Sequence, residues 1–497
     1  MKKPFTTLAA WRGTQMALLL GAALFITSCE RPEEEENINP SAVSQNGQDD
    51  DDDDDEFKTD ESLVLSTLLA GKAGGNTTVM ATGMDAFFQP AANLSGATLP
   101  AHQAGKGTFE RTFELALLDP IWLQDACVDC HVGGGRSRAP RVGTNNPQLL
   151  FRLSVPGQDA HGENNPVPGF GTQLQNIAID PVTGARLIGT GPEGNVAISF
   201  VEETRTLKGG ASVSLRRPSY AFTKVPAGVE VSARIGSNVA GLGLLQAVPE
   251  ATILYMAFKQ WEANQDKPDK NKATGKANYV WDYTLNKRVL GRFGWKAGQP
   301  SLLQQNAGAL NGDMAITTPL FSIEPGESAP RATGVDLTAA ELEAMTKFTT
   351  TMGVPAVRQT SDNKVLKEGL TLFIKAGCDA CHVPRLQTGN LPGFPEVSNQ
   401  TITPFTDLLV HDMGPELADN RPEFMANGRE WRTAPLWGLG LSQITSGHTF
   451  LLHDGRARNV TEAVLWHGGE AQKSREFFQN EMDQKERDQL LAFIQSL

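Results

Sequence analysis

The stretch Cys378-Asp379-Ala380-Cys381-His382 decides the fold, and Cys127-Val128-Asp129-Cys130-His131 repeats its pattern far upstream. Two thiols at this spacing can add to the two vinyl groups of one haem, and the histidine that follows then faces the iron as its proximal ligand. The sequence therefore predicts two covalently bound c-type haems. Their predicted attachment residues are Cys127, Cys130, Cys378 and Cys381, and their proximal iron ligands are His131 and His382.

The C-x-x-C spacing also occurs in zinc sites and in thioredoxin-like redox pairs. The two pairs together could form a four-cysteine zinc site, but each pair carries its own histidine, for which such a site has no use. We therefore favour haem and keep structural zinc as a distant alternative, which a colourless purified protein would support.

The N-terminal residues predict an exported lipoprotein. A basic start, Met1-Lys2-Lys3, precedes an apolar run from about Met16 to Ile26, which is shorter than the roughly 20 residues that span a bilayer. The residues before Cys29 resemble a bacterial lipobox, which implies cleavage there and a lipid on the Cys29 sulfur. We expect residues 1–28 to be a signal peptide and the protein to be anchored to the outer membrane of a bacterial cell envelope, facing the periplasm or the cell surface.

A lipid on Cys29 would account for the one cysteine that the haem motifs do not use. The chain has five cysteines and the haem motifs use four of them, so no structural disulfide is expected. An ordinary signal peptide with an idle Cys29 is the alternative interpretation.

Residues 29–61 are predicted to form an acidic, disordered tether. Residues 30–61 hold 15 acidic and two basic side chains, a balance of −13 that equals the net charge of the whole chain. The remainder is close to neutral, so the pI of 5.2 describes a self-repelling spacer and says nothing about an active site. A metal-binding acidic tract is the alternative, although a disordered run lacks convergent geometry. No basic tract suggests nucleic-acid binding.

The chain after the tether is long for one hydrophobic core, and the two haem motifs suggest how it divides. We predict a mainly α fold of two cytochrome c-like haem domains, residues 62–355 and 356–497, the first enlarged by loops and short β-strands. Residues 140–235 are rich in Gly, Pro and Asn, with short strands near 196–200 and 211–215.

Helical segments are recognised by apolar periodicity and by their end signals. Thr338 and Glu341 form a predicted capping box at the start of one helix, and Gly133-Gly134-Gly135 predicts a flexible turn. Leu490, Leu491 and Phe493 are expected to pack the last helix on the second haem domain. The predicted helices cover 109–124, 242–260, 339–349, 365–375, 460–466 and 484–497.

Several stretches beyond the haem motifs resemble one protein family. With them the chain is similar to the di-haem oxidoreductases, also described as putative di-haem peroxidases or as thiol-oxidoreductase-like, within the bacterial di-haem cytochrome c peroxidase superfamily. The resemblance implies an enzyme that reduces hydrogen peroxide, or uses it to oxidise a substrate, with one reactive haem and one electron-transfer haem. The matching stretches are Gly241–Leu245, Val248–Glu250, Gly291–Ala297, Asp313–Met314, Thr406–Leu409, His411–Gly414, His453–Arg456 and Leu465–Ala471.

The resemblance also implies a distal ligand for the second haem. In the superfamily a methionine stands 14 positions after the histidine of a His-Asp-Gly motif, and here that frame starts at His453 and leads to His467. A His382/His467 pair predicts a low-spin haem of lower potential than a His/Met haem. In the alternative interpretation, His467 only packs at a helix end. Met413 is then the rival ligand, and His411 and His448 are weaker candidates.

The first haem is the one at which the superfamily handles peroxide, on an open distal face and with an acid that moves protons. Glu250 is the candidate acid and Gln246 a second polar group, because they follow the Leu-Gly-Leu-Leu stretch near the place of the family's distal glutamine and glutamate. An acid is expected at position 246, so Gln246 is a departure that puts peroxidase activity in question. Alternatively, Glu250 stabilises the start of the helix that Pro249 begins.

The superfamily has a tryptophan between its haems. Trp295 is the first choice for this relay and Trp122 the second, with core packing as the alternative for both. Arg292 and Lys296 have the charge that haem propionates require. The resemblance also implies calcium between the domains, whose ligands the sequence does not identify, and a small redox donor or electron-transfer protein as partner.

A function from another class competes with the peroxidase. A di-haem electron-transfer protein, with both irons six-coordinate and an iron-handling partner, would carry the same attachment motifs. A strong distal ligand on the first haem would favour this alternative.

Overall fold

The structure is a computed structural model. It describes residues 59–497 except 114–120, 145, 147, 180–182, 184–185, 189–192, 266–267, 270, 326 and 359–362. The predicted signal peptide and the tether up to residue 58 lie outside the described residues. In the part of the chain that is described, no helix combines the length and the apolar character that a membrane crossing requires.

Helices outweigh strands in the regular structure, with 33% of the described residues helical and 18% in strands. The helices are α1 Glu61–Leu69, α2 Thr98–Glu110, α3 Cys127–Cys130, α4 Leu242–Gln246, α5 Glu250–Ala263, α6 Leu302–Met314, α7 Ala339–Thr350, α8 Asn363–Lys375, α9 Ser442–Ser446, α10 Val460–Trp466, α11 Gln472–Glu476 and α12 Gln484–Ser496. The strands are β1 Thr78–Val79, β2 Ile121–Trp122, β3 Leu149–Ser154, β4 Ile177–Ile179, β5 Arg186–Ile188, β6 Val196–Thr206, β7 Ser212–Phe222, β8 Glu230–Ile235, β9 Tyr279–Asp282, β10 Lys287–Leu290, β11 Val354–Pro355, β12 Leu386–Gln387, β13 Thr401–Ile402, β14 Val410–Asp412 and β15 Glu430–Arg432.

Four of the predicted helices are confirmed as α7, α8, α10 and α12. At the start of α7 the Thr338 hydroxyl accepts from the backbone N–H of Glu341, whose carboxylate accepts from the backbone N–H of Thr338, so the capping box forms as predicted. The helix predicted at 242–260 is interrupted, because Pro249 cannot donate a backbone hydrogen bond and α5 begins directly after it.

The helix predicted at 109–124 is wrong. The chain is helical only up to Glu110, and residues 121–122 form strand β2, which pairs antiparallel with β4. Residues 114–120 lie outside the described ranges. A long-range strand pairing therefore overrides the local helical pattern at Ile121 and Trp122.

The strands predicted near 196–200 and 211–215 are confirmed and extend further. They form the antiparallel hairpin of β6 and β7, in register from Val196 opposite Phe222 to Thr206 opposite Ser212. Strand β8 pairs antiparallel with β3 and ends at Ile235, where its backbone N–H also donates to the carbonyl of His453. This end of β8 brings the insertion to the haem motifs.

One hydrophobic core joins helices from both halves of the sequence. Ile253 of α5, Phe373 of α8 and Phe493 of α12 belong to the same buried cluster, and the described residues form one contact unit. The division at residues 355 and 356 stays a prediction. The packing of α12 is as predicted, because Leu490 and Phe493 are fully buried against α8.

Gly369 lets α8 and α12 approach each other. A Cβ at this position would overlap the Cβ of Phe493, whereas a Cβ at Gly107 on α2 would meet no atom within 4 Å. Phe373, one turn further along α8, packs its ring 6.4 Å from that of His382. The contact between the two helices therefore supports the second haem motif.

We predict that Gly369→Ala lowers the free energy of unfolding by about 1–3 kcal/mol, because overpacking forces the helices apart. Thermal or denaturant unfolding of the haem-loaded protein measures this. Gly107→Ala is the matched control, and it should be neutral or stabilise by up to about 1 kcal/mol, since alanine favours a helix interior. Equal effects of the two substitutions would contradict the packing argument.

Candidate haem-binding site

The second haem motif follows α8 after a left-handed glycine. Gly377 has φ +68°, which turns the chain into the short 3-10 segment Cys378–Ala380. The backbone N–H of His382 then donates to the carbonyl of Cys378 at 2.9 Å. This compact turn holds both thiols and the imidazole on one side of the chain.

The orientation of His382 is set by a backbone carbonyl. Its Nδ1 lies 3.0 Å from the oxygen of Phe405, and because a carbonyl only accepts, Nδ1 carries the proton. The bare nitrogen is therefore Nε2, the tautomer that a metal ligand needs. Burial lowers the pKa of His382 to about 4, so the imidazole is neutral at pH 7.

A cavity of about 600 Å³ lies in front of this motif, within the range of about 300–1,000 Å³ that cofactor sites occupy. Cys378, Cys381 and His382 line it together with His467 and Met413. The predicted proximal and distal histidines therefore share one cavity with both attachment thiols, and the four described cysteines are free.

His467 has the same hydrogen-bonding arrangement as His382. It caps the C-terminal end of α10, and its Nδ1 donates to the carbonyl of Ala463 at 2.6 Å. Burial lowers its pKa below the ordinary value of 6.5. A neutral imidazole with a bare Nε2 thus faces the cavity from each of two segments, as axial ligation of one iron requires.

The first haem motif is held in a similar way. Helix α3 carries both thiols, and His131 Nδ1 donates at 2.8 Å to the carbonyl of Ser237, two residues beyond the end of β8. Burial lowers the pKa of His131, and the ring of Phe109 lies 6.1 Å away. Both proximal histidines are therefore oriented by backbone carbonyls from distant parts of the sequence.

A family model described as "Di-haem oxidoreductase, putative peroxidase" matches residues 68–497. The chain belongs to this family. The match confirms the resemblance inferred from the motifs, and membership implies an oxidoreductase with two haems.

No curated protein matches the chain. Among solved structures, the chain is similar to hydrazine synthase of Kuenenia stuttgartiensis, in a crystal pressurised with 20 bar xenon, at 17% sequence identity and a TM-score of 0.22. The alignment covers 33% of this chain and 57% of that one, so the chain spans little more than half of the structure that it matches.

Three other histidines of this di-haem oxidoreductase are engaged elsewhere. His448 uses Nε2 toward the carbonyl of Ser137 and Nδ1 toward the backbone N–H of Phe450. His161 stacks on Trp281 at 4.2 Å, and His411 bonds carboxylates through both nitrogens. Hydrogen bonding therefore removes the two weaker ligand candidates, His411 and His448, and leaves His467 and its rival Met413.

We predict that His467→Ala converts the second haem of the ferric protein from low-spin to high-spin, because it removes the sixth ligand. Met413→Leu should leave the low-spin signal unchanged. Electron paramagnetic resonance of the two purified variants measures both effects. The reverse result, loss of the signal only in the Met413 variant, would assign the ligand to methionine.

His411 forms a buried cluster with two carboxylates, which we call the His411 cluster. Its Nε2 lies 2.8 Å from Asp407 Oδ2 and its Nδ1 lies 2.7 Å from Glu470 Oε2, so the ring is doubly protonated. Burial lowers the pKa of His411, but the neighbouring Cys381 and Asp407 outweigh burial and raise it well above the ordinary value. A haem thioether at Cys381 would carry no charge, and in that state the two carboxylates alone would keep the second proton on His411.

The His411 cluster connects the attachment segment to the segment of the distal ligand. Gln260 donates 2.9 Å bonds to Asp407 and to the carbonyl of Ala380, between the two cysteines. Glu470, three residues after His467, also accepts from the backbone N–H of Asp412. The sequence offered no signal for this network beyond the spacing of four between Asp407 and His411.

We predict that His411→Gln lowers the free energy of unfolding by about 3–5 kcal/mol, because it leaves buried carboxylates without their cation. The partly exposed His161→Gln is the control and should change stability little. Unfolding of both variants and the parent protein should be measured between pH 4 and pH 9.

The stability lost in His411→Gln should depend on pH, and the two pKa shifts of the cluster give the direction. The raised pKa of His411 makes its contribution complete below 6.5 and lost as the pH rises through the folded value. The lowered pKa of Glu470 makes its contribution complete above 4.5 and lost as the pH falls through the folded value. The difference in the free energy of unfolding between parent and variant should therefore be largest between pH 4.5 and pH 6.5. A difference that does not change with pH would contradict this prediction.

The two residues proposed to hold propionates both contact protein groups, which occupy every donor of Lys296 but only one nitrogen of Arg292, so the prediction for Arg292 stays open. Lys296 donates at 2.8–2.9 Å to the carboxylate of Asp419 and to the carbonyls of Arg421 and Asn427. An ammonium has three N–H donors, so none is left for a propionate. Arg292 donates to the carbonyls of Leu245 and Val248 at the end of α4.

The two proposed catalytic residues surround the break between α4 and α5. Glu250 is exposed at the first position of α5, and its charge acts on Arg292. Gln246 accepts from the backbone N–H of Leu302 at the start of α6. These contacts are those of helix ends, as in the alternative interpretation, and a role of either residue at the first haem stays a prediction.

Asp313 is a carboxylate that the sequence analysis quoted only as part of a motif. Its charge raises the pKa of His131 against the larger effect of burial, and it acts on Cys127 and Cys130 as well. Its Oδ1 accepts a 2.9 Å hydrogen bond from Gln173. Only the tertiary structure reveals that α6 brings this acid to the first haem motif.

Trp295 lies between the two haem motifs. Its ring lines the second cavity, and its Nε1 donates at 2.8 Å to the carbonyl of Ile235, two residues before the Ser237 that orients His131. Trp431 lines the same cavity and stacks on His453 at 3.8 Å, a pair that the sequence analysis missed. The side chain of Trp122 is outside the described residues, and the relay role of Trp295 stays a prediction.

Proposed function

We propose that the protein is a lipid-anchored di-haem c-type oxidoreductase that reduces hydrogen peroxide or uses it to oxidise a substrate. The supporting observation is an asymmetry between the two motifs. His382 shares its cavity with two further imidazoles that bond a carbonyl through Nδ1, His467 and His453, and the family's sequence frame favours His467 as the ligand. For His131, the described interactions are with Ser237, Gly135, Phe109 and Asp313, and we assign no second ligand to this site.

This asymmetry suits a division of labour. When bound, the two haems supply the iron for electron transfer and for peroxide reduction. His382 and His467 would together hold the second haem and keep substrate from its iron, whereas His131 alone would hold the first haem and leave its iron accessible to peroxide. Trp295 lies on the short route from one motif to the other.

Reduction of one hydrogen peroxide to two waters consumes two electrons and two protons, so an acid is needed near His131. We infer that Asp313 fills this role, since its carbonyl accepts from the backbone N–H groups of Leu123 and Gln124, just before the first haem motif, and its charge acts on His131 and both attachment thiols. Gln173 orients the carboxylate through the bond to Oδ1. Glu250, exposed beside Arg292, is the competing candidate.

The remaining parts of the proposal come from the sequence. Two cytochrome c-like domains, residues 62–355 and 356–497, carry the haems, and a lipid on Cys29 with the acidic tether holds them off a membrane of the bacterial envelope. A small redox donor or electron-transfer protein supplies electrons. Calcium between the domains has no assigned ligands: the described residues contain no group of three or more His, Cys, Asp or Glu side chains suited to a metal ion.

The test is an electron paramagnetic resonance spectrum of the purified ferric protein, before and after peroxide and also after partial reduction. We expect one low-spin and one high-spin haem, with the high-spin signal consumed by peroxide. Two low-spin haems unmoved by peroxide in every state would overturn the enzyme and leave a di-haem electron-transfer protein.

Two charge-neutral variants separate the candidate acids. Asp313→Asn should lower kcat/KM for peroxide by about 10²–10⁴-fold, the usual contribution of a general acid, while Glu250→Gln should leave it nearly unchanged. Haem content and spin state of each variant report whether the haem site itself is intact. The opposite ranking would return the role to Glu250.

A further inference from the structure

Arg136 belongs to the first haem motif by sequence and to the second haem site by position. It follows His131 by five residues, and its backbone N–H donates to the Ser446 hydroxyl at 2.8 Å. Its side chain lines the cavity of Cys378, Cys381 and His382. A guanidinium from one motif therefore enters the site of the other.

The guanidinium of Arg136 lacks a partner within the described residues. The residue is 8% exposed, and its buried Nη1 forms no hydrogen bond. Burial lowers its pKa to about 10, with no nearby carboxylate to oppose the effect, so it is still charged at pH 7. A buried charge without a counter-ion is strongly unfavourable.

The other buried cations among the described residues each have a carboxylate or a carbonyl partner, and the fully buried Arg487, for example, donates to the carbonyls of Met482 and Lys208. Arg456 lies 2.8 Å from Asp454, and Lys296 lies 2.9 Å from Asp419. The exception at Arg136 thus coincides with the cavity that is lined by the haem attachment residues. No carboxylate of the described residues pairs with this guanidinium, so an anion that enters the cavity would supply the missing partner.

A haem supplies that anion, because each haem carries two propionate carboxylates. We propose that Arg136 binds a propionate of the second haem and thereby links that haem to the ligand segment of the first. A guanidinium suits a carboxylate through two parallel N–H donors. The proposal rests on haem attachment at Cys378 and Cys381, as proposed above.

The backbone around Arg136 completes the link to the first iron ligand. Ser137 donates through its N–H to the carbonyl of Gly236, and the N–H of Gly236 donates to the Ser137 hydroxyl at 2.6 Å. The next carbonyl, that of Ser237, orients His131. His131 is therefore linked to Arg136 through Ser237 and Gly236 on one segment and Ser137 on the other. A displacement of His131 is expected to reach Arg136 along this path.

The test is a redox titration of the full-length haem-loaded protein, in which absorption and electron paramagnetic resonance separate the two haems. Arg136→Gln should shift the second haem to lower potential, because removing a cation favours ferric iron. We expect at least a tenfold change in its ratio of oxidised to reduced form at a given potential, which is 59 mV for a one-electron couple. Arg136→Lys, which keeps the charge, should shift it less.

Arg138→Gln is the matched control, since Arg138 is exposed and only two residues away, and it should leave both potentials nearly unchanged. A shift of the first haem alone would assign the carboxylate to that haem and overturn the proposal. Unchanged potentials in Arg136→Gln, or a parent potential that follows phosphate concentration at constant ionic strength, would also overturn it.

Misfolding and failure of the proposed function remain distinguishable from failure of this link. The haem-to-protein ratio shows whether Arg136→Gln binds both haems. If it does not, the redox titration is made on Arg136→Lys. An equal shift of both haem potentials in that variant would count against the link. The titration needs no peroxide, so an inactive enzyme with a shifted second haem would still support the role of Arg136.

Discussion

Backbone carbonyls hold the candidate axial histidines, and the rest of the site depends on this constraint. His131, His382 and His467 each donate from Nδ1 to a main-chain oxygen, which leaves Nε2 for iron. The carbonyl for His382 comes from Phe405, which has φ +54° and is fully buried. A left-handed conformation costs an L-residue about 1–2 kcal/mol, and the rings of Phe373 and Phe493 pack around Phe405 to offset it.

The hydrogen-bond partner of each histidine near the second cavity decides whether its imidazole is neutral or charged. His382 and His467, bonded to neutral carbonyls and buried, have lowered pKa values and stay neutral. His411, a few ångströms from Cys381, bonds two carboxylates and keeps its proton. The same side chain therefore serves as a metal ligand in one environment and as a structural cation in the other, because only a neutral imidazole has a lone pair for iron.

The two haem motifs are joined by more than a shared core. The end of β8 contacts both: Ser237 orients His131, while Ile235 accepts from Trp295 and donates to His453, which line the second cavity. Arg136, five residues after His131, lines the second cavity as well. This end of the insertion, which the sequence predicted only as an enlargement of the first haem domain, is thus a structural connection between the two sites.

The sequence by itself determined the family, the two C-x-x-C-H motifs and four helices of the structure. Cysteine spacing, capping boxes and apolar periodicity are local properties, so the motifs, α7, α8, α10, α12 and the position of His467 could be read directly. Only the tertiary structure decided which groups those residues meet. It gave Lys296 to Asp419 and two carbonyls, exposed Glu250 at the start of α5, brought Asp313 to the first motif and left Arg136 unpaired in the second cavity. Hydrogen-bond and ion-pair partners lie tens to hundreds of residues apart, and no local pattern records which of several similar side chains the folded chain brings together.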